Sequence, residues 1–260
     1  MSRSGAAIDL RATMRAASSG GCRTMSQKAE RAATVASIAL TVLLVGYVEA
    51  PTNGGTVRGS VRLIGTAPRL APHRVTERTQ LDACTTSVVN DQLALGAGGA
   101  LANAVVWIEG ITAGAPARRV ELSLDQRGCR YLPRVQAAVV GSRLTVMSSD
   151  ATLHNVHAHR DRRTLFNLAM PAKGMRVRRR LSRLGIVELT CDAGHPWMSA
   201  WIHVFDHPYF AVTGPDGRFE MPDVPAGVHT VHVWHERYPE QTRRVTVAAG
   251  GVAIWDVSLR

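Results

Sequence analysis

Within CDAGHPWM, residues 191–198, a thiol, an imidazole and a thioether lie close together at Cys191, His195 and Met198. All three side chains are soft metal ligands. A thioether is a poor donor to zinc, calcium or magnesium, whereas thiolate, imidazole and thioether together favour copper. A mononuclear copper site of this composition takes two imidazoles and one thiolate in a near-trigonal plane, with Met as a weak axial ligand. The second imidazole has to come from elsewhere in the chain. LHNVHAH, residues 153–159, offers His154, His157 and His159. Alternate residues of an extended segment point to opposite faces. His157 and His159 therefore share the face opposite His154 and are expected to be solvated.

These residues need rigid elements to hold them, and the sequence supplies strands. After residue 54 no long segment has helical periodicity. Short β-rich runs such as TVRGSVRLIG, NAVVWIEGI, RVELSL, SRLTVMSS, GIVELTC, AWIHVFD and HTVHVWHE are bounded by turn residues. Several alternate apolar and polar side chains, as half-buried strands do. GPDG, DVPAG and AAGG between them carry the glycines that turns with positive φ require. The pattern predicts an all-β sandwich or barrel. SRLTVMSS leads towards His154, GIVELTC enters the Cys191 loop and AWIHVFD leaves it. Residues 66–100 are the least regular part and read as a long loop or one with a short helix.

Residues about 120–206 resemble the cupredoxins, the plastocyanin, amicyanin and pseudoazurin type of copper protein. The resemblance rests on His154-Asn155-Val156 upstream and on Cys191-x3-His195-x2-Met198 downstream, in the family's order. It implies a Greek-key β-sandwich that holds one type 1 (blue) copper cycling between Cu(I) and Cu(II). Cys191, His154 and His195 would form the plane and Met198 the axial ligand. Asn155 would tie the two ligand-bearing loops together by hydrogen bonds. The family's downstream His is usually exposed in an apolar patch, to which Pro196, Trp197 and Met198 would contribute here. The gap of three residues between Cys191 and His195 departs from the two of amicyanin, and loop length affects geometry and potential. A two-copper centre would need a second Cys in this loop, which has none.

The C-terminal segment resembles the carboxypeptidase regulatory-like domain, a small transthyretin-like β-sandwich. Thr213, Asp216-Gly217, Phe219, Pro225 and Gly227 carry this likeness, and GGTVRGSVRLIGTAP with LANAVVWIEG look like its first two strands. On that parse, residues 55–118 begin the second sandwich, 119–206 form an inserted cupredoxin domain and 207–260 finish the second sandwich. One continuous enlarged cupredoxin is the competing parse. His229, His232 and His235 lie on one hairpin arm. His232 and His235 are an odd number apart and point to opposite faces of a strand, so they are expected to serve structure or surface. RVRRR, residues 176–180, reads as a solvated strand or loop that could dock an acidic partner electrostatically.

Residues 1–50 read as an extension and a secretory signal. Lys28 and Arg31 precede an uncharged run of 17 residues, Ala32 to Val48, and Val48-Glu49-Ala50 offers a cleavage site. An uncleaved membrane anchor is the alternative. Either way the folded part is expected in the periplasm or outside the cell. Cys22 precedes the signal and Cys191 belongs to the ligand loop. Cys84 and Cys129 are left, and in an oxidising compartment they are expected to form a disulfide. Two buried free thiols are the alternative.

The formal charge of +11 is carried almost wholly by Arg. It is spread through strands without the loops or aromatic platforms of nucleic-acid modules, which argues against a nucleic-acid partner. There is no Ser-His-Asp set, paired carboxylate pattern or phosphate loop. The sequence thus predicts an exported electron carrier and not an enzyme. Its partner would be a redox protein such as a cytochrome or another copper protein, with membrane contact only through an uncleaved signal. Copper storage or delivery, or a structural module with a vestigial site, are the other classes to consider.

Overall fold

The computed structural model describes residues 54–260. The expected signal segment and Cys22 lie outside them. The described residues are almost entirely β, with one helical turn at Leu81–Cys84 and two short 3-10 turns. No helix among them is long and apolar enough to cross a membrane.

Two hydrophobic cores organise the strands. The first lies between a five-stranded and a four-stranded sheet. In the five-stranded sheet the order is Arg163–Met170, His154–Arg160, Gly185–Thr190, Ser199–Phe205 and Val135–Val139. In the four-stranded sheet it is Arg176–Arg180, Arg143–Ser148, Glu121–Gln126 and Tyr131–Leu132. Val156, Ala158, Val187, Leu189 and Ile202 face Leu124, Leu144 and Val146 across this core. The alternation that puts Val156 and Ala158 inside also turns His154 inward.

The second core joins strands from both ends of the described chain. Gly55–Leu63 pairs with Arg218–Val224, Val252–Ile254 and Val257–Leu259 in one sheet. Phe210–Val212, Val105–Ile108, Gly227–His235 and Tyr238–Val247 form the other. Val57, Val61, Leu101, Val106, Ile108, Met221, Val231 and Val233 fill the space between them. The turn before Arg218–Val224 needs glycine: Gly217 has φ +68°, and a Cβ there would lie 2.5 Å from the Val61 carbonyl oxygen.

The irregular segment has a definite place. His73–Arg74 pairs with Ser87–Val88, and the helical turn Leu81–Cys84 lies between them. Val75, Cys84 and Val88 are buried in the first core, so this segment forms a lid on the sandwich of residues 121–205. The disulfide Cys84–Cys129 staples it there.

The two sandwiches meet at a joint of aromatic rings and one buried ion cluster. Trp107 and Trp234 come from the second sandwich, and Trp201, His203 and Phe205 from the strand Ser199–Phe205 of the first. His203 lies 4.5 Å from Trp234 and 5.9 Å from Trp107, measured between ring centroids. Beside them the Arg134 guanidinium binds Glu236 at 2.5 Å and Asp91 at 2.6 Å. Arg134 and Glu236 side chains are only 4% and 6% exposed, so the pair is shielded from water.

Arg163–Met170 was not read from the sequence as a strand, and Arg176–Arg180, read as a solvated strand or loop, is a strand. Arg163–Met170 and Arg176–Arg180 are edge strands, mostly exposed, held by main-chain pairing to one neighbour each. Arg163–Met170 packs Phe166, Leu168 and Met170 against the first core, whereas Arg176–Arg180 is mostly charged, as edge strands are against unwanted pairing. The hairpin before Arg163 turns on Asp161 and Arg162, at φ +49° and +64°. Two successive left-handed residues make the type I′ geometry that usually announces itself as Asn-Gly.

Candidate metal centre

His154, Cys191 and His195 come together at one end of the first sandwich, with their ligand atoms all within 4.8 Å of one another. The two histidine Nδ1 atoms are 3.3 Å apart, and Cys191 Sγ is 3.7 Å from His195 Nδ1. His154 opens its strand, Cys191 directly follows the strand Gly185–Thr190, and these two strands pair. Neighbouring strands of one sheet thus deliver two of the three groups, and the loop of residues 191–198 folds the third back. Met198 is also buried, and its N–H donates to the His195 carbonyl at 2.9 Å, closing that loop.

Each imidazole has its outer nitrogen occupied. His154 Nε2 donates to Asp150 Oδ2 at 3.0 Å. Asp150 also accepts the N–H groups of Gly128 at 2.8 Å and Cys129 at 2.9 Å. Burial alone would push the Asp150 carboxyl up, but these donors outweigh it and hold the group below the usual carboxylate range. His195 Nε2 lies 3.4 Å from Cys84 Sγ of the disulfide. Partners on both Nε2 atoms fix the tautomers and direct the Nδ1 lone pairs towards Cys191. Two lone pairs and a thiolate aimed at one place repel each other unless a cation lies between them. This donor set, soft and dry, fits copper.

The thiol is prepared for such a role. Burial would push the Cys191 thiol up. The adjoining rings of His154 and His195 and the backbone amides of Asn155 and Ala193 outweigh burial and hold it at about 6. His154 is raised above the usual histidine value, because bonds to Asp150 and Cys191 outweigh its burial. Asn155 Oδ1 accepts the Asp192 N–H at 2.6 Å, and its Nδ2 donates to Asn167 at 2.8 Å and to Asp192 Oδ2 at 3.2 Å. Its side chain therefore links the His154 strand to the Cys191 loop. The buried Tyr131 hydroxyl bridges the carbonyls of Asn155 and Thr190, the residues after His154 and before Cys191.

His157 and His159 stand on the opposite face of the strand, outside the cluster. His157 is held rather than merely solvated: its Nδ1 pairs with Asp192 at 2.7 Å and its Nε2 with Thr164 at 2.8 Å. His159 meets Thr190 at 3.3 Å. The hairpin histidines join no metal-binding group among the described residues. His232 stacks on Trp107 and pairs with Glu240, His235 is buried, and His229 donates to the Pro225 carbonyl.

One expectation is corrected. His195 is completely buried, not exposed in an apolar patch. The lid covers it, with Cys84 against its outer nitrogen and Gln80 against Gly194. Gly194, at φ +84°, admits this approach because a Cβ there would lie 2.7 Å from Gln80 Nε2. Trp197 meets His195 edge-on at 5.5 Å, stacks on His73 of the lid at 5.9 Å, and donates to the Cys129 carbonyl at 3.0 Å. Asp150, Tyr131 and Asp192 went unrecognised in the sequence. Asp150 stands four residues before His154 in a loop, the one local signal that could have found it.

No protein-family model and no curated protein matches the chain. Solved structures similar to part of it include a cupredoxin, amicyanin and a copper-containing nitrite reductase. The novel purple cupredoxin from Nitrosopumilus maritimus aligns at 20% identity over 32% of this chain and 98% of its own, with a TM-score of 0.29. A reduced amicyanin variant aligns at 19% identity over 38% and 97%, with a TM-score of 0.30. The copper-containing nitrite reductase from Thermus scotoductus SA-01 aligns at 20% identity over 37% of this chain, with a TM-score of 0.30. The match spans 25% of that reductase.

Proposed function

We propose that this protein is an exported carrier of single electrons built on one type 1 copper, which Cys191, His154, His195 and Met198 would hold. The observation that carries this reading is the buried convergence of the two Nδ1 atoms and the Cys191 sulfur. Copper, when bound, supplies a one-electron Cu(I)/Cu(II) couple. The chain supplies fixed geometry. Asp150 and the disulfide hold the two imidazoles, Asn155 and Tyr131 hold the thiol-bearing loop, and the lid excludes water. A site so constrained rearranges little when its charge changes, which suits electron transfer better than exchange of a metal cargo. In this reading the protein makes no bond to a substrate and is not an enzyme. Its partner is a redox protein such as a cytochrome or another copper protein. Residues 119–206 form the copper domain, inserted into a carboxypeptidase regulatory-like sandwich of residues 55–118 and 207–260. Residues 1–50 direct it to the periplasm or beyond.

The visible spectrum of copper-loaded protein tests the proposal. An intense thiolate-to-copper charge-transfer band, blue or green, is expected, and Cys191→Ser abolishes it because the sulfur orbital is its source. Colour that survives this substitution overturns the assignment.

A further inference from the structure

A second group of soft donors lies behind the two imidazoles. Cys84 Sγ, Cys129 Sγ and His195 Nε2 all lie within 4.8 Å of one another, and all three residues are buried. Cys84 is brought there by the helical turn of the lid. Cys129 is set by its turn, at φ +54°, with its N–H on Asp150. As a disulfide, the two sulfurs have little to offer a metal. As a pair of thiols they become a two-sulfur, one-nitrogen donor set in a dry pocket, the softness that Cu(I) prefers and oxygen-seeking metals do not.

We propose that the reduced form of the Cys84–Cys129 pair, with His195 Nε2, is a second metal site that binds one Cu(I) ion. A dithiol reductant opens it. The protein disulfide takes two electrons and two protons from the dithiol, which leaves as its own disulfide. Metal binding then releases the two thiol protons as two metal–sulfur bonds form, and the His195 Nε2 proton moves to Nδ1, or to solvent where Nδ1 already holds a metal, to free the lone pair that binds. The backbone already suits this change, since the two Cα atoms are 5.2 Å apart. Metal–sulfur bonds of about 2.3 Å let two sulfurs on one ion stand roughly 4 Å apart, within reach of side-chain rotation. His195 presents Nδ1 to Cys191 and Nε2 to this pair, so the disulfide state decides whether its outer nitrogen meets an inert sulfur or a ligand cluster. The site stands on its own donors and does not require copper at the Cys191 cluster.

The test compares two forms of the full chain under anaerobic conditions. One keeps the disulfide. The other is refolded with a phosphine reductant, which is then removed, and a thiol count confirms that the full chain has gained two thiols. Each is titrated with Cu(I) against a chromogenic Cu(I) chelator. The dithiol form is expected to hold one more equivalent than the disulfide form, and X-ray absorption on it should show additional copper–sulfur bonds. Equal stoichiometry in the two forms overturns the proposal. The Cys84→Ser/Cys129→Ser variant should match the disulfide form with or without reductant. Should that variant fail to fold, the comparison of the two wild-type forms still decides. Loss of the charge-transfer band in the disulfide form would strike the type 1 copper reading instead and leave this stoichiometry unaffected.

Discussion

Lowering the pH from 7 to 5 should weaken the fold, and His203 should account for about 2 kcal/mol of the effect. His203 is enclosed by Trp107, Phe205 and Trp234 in the joint, and burial pushes its pKa down to about 3. His235 is pushed down to about 4, by burial first and then by the nearby charges of Arg134 and Arg237. A histidine kept neutral in the fold costs nothing above its unfolded value near 6.5. Below that value the unfolded chain takes up a proton that the folded chain refuses, and stability falls until the pH reaches the folded value. At pH 5 each histidine has thus removed about 2 kcal/mol, or about 4 kcal/mol together, set against typical domain stabilities of 5–15 kcal/mol. For a chain of this size that corresponds to a fall in Tm of roughly 10 °C. Asp150, with its carboxyl held low, loses its contribution only below the usual carboxylate range, while Cys191, held at about 6, loses stability and the raised His154 gains it inside the window, in wild type and variant alike. The assay is thermal unfolding of metal-free protein followed by tryptophan fluorescence at pH 7, 6 and 5, for the wild type and His203→Phe. The variant's loss of stability between pH 7 and 5 should be smaller than the wild type's by about 2 kcal/mol. If its Tm falls as steeply as the wild type's, burial of His203 is not the cause and the reasoning fails.

Three further outcomes follow from the site and the joint. His154→Gly should bleach copper-loaded protein and let added imidazole restore the colour, whereas His157→Ala leaves the absorption spectrum nearly intact because His157 faces Asp192 and Thr164. Met198→Leu should keep the copper and raise the reduction potential measured by voltammetry, since loss of a weak thioether donor disfavours the electron-poor Cu(II). Arg134→Met should destabilise the protein by about 3–5 kcal/mol in chemical denaturation, because it leaves the Glu236 carboxylate buried without its partner. A loss under about 1 kcal/mol would show that water reaches Glu236 once Arg134 is gone.

The all-β class was legible because alternation and turn glycines are local signals. The strands that define the two cores announce themselves through apolar positions such as Val57, Val61, Val187 and Leu189. Edge strands such as Arg176–Arg180 do not, because only their main chain is satisfied by the sheet. Cys191, His195 and Met198 were legible as a group because one short loop holds them. His154 was separable from His157 and His159 by the period of a strand. Asp150, Tyr131 and the approach of Cys84 to His195 were not legible. Each depends on which loop crosses which in space, and sequence separation carries no trace of that. The lid is the sharpest case. Residues 66–100 have no periodicity of their own, since a few buried side chains and a disulfide hold them in place.

The strand Ser199–Phe205 connects the site to the joint. It begins one residue after Met198, where the ligand loop closes, and then carries Trp201, His203 and Phe205 into the aromatic cluster with the second sandwich. It also pairs along its length with Gly185–Thr190, the strand that ends at Cys191. A shift of this strand would therefore move both the exit of the ligand loop and the support under the thiol. Arg134 reinforces the same region, since its guanidinium binds the Ser199 carbonyl and hydroxyl as well as Glu236 and Asp91. The second sandwich thus acts as a brace for the loop of residues 191–198, and conditions that loosen the joint, acid first among them, should loosen the candidate metal site before either core unfolds.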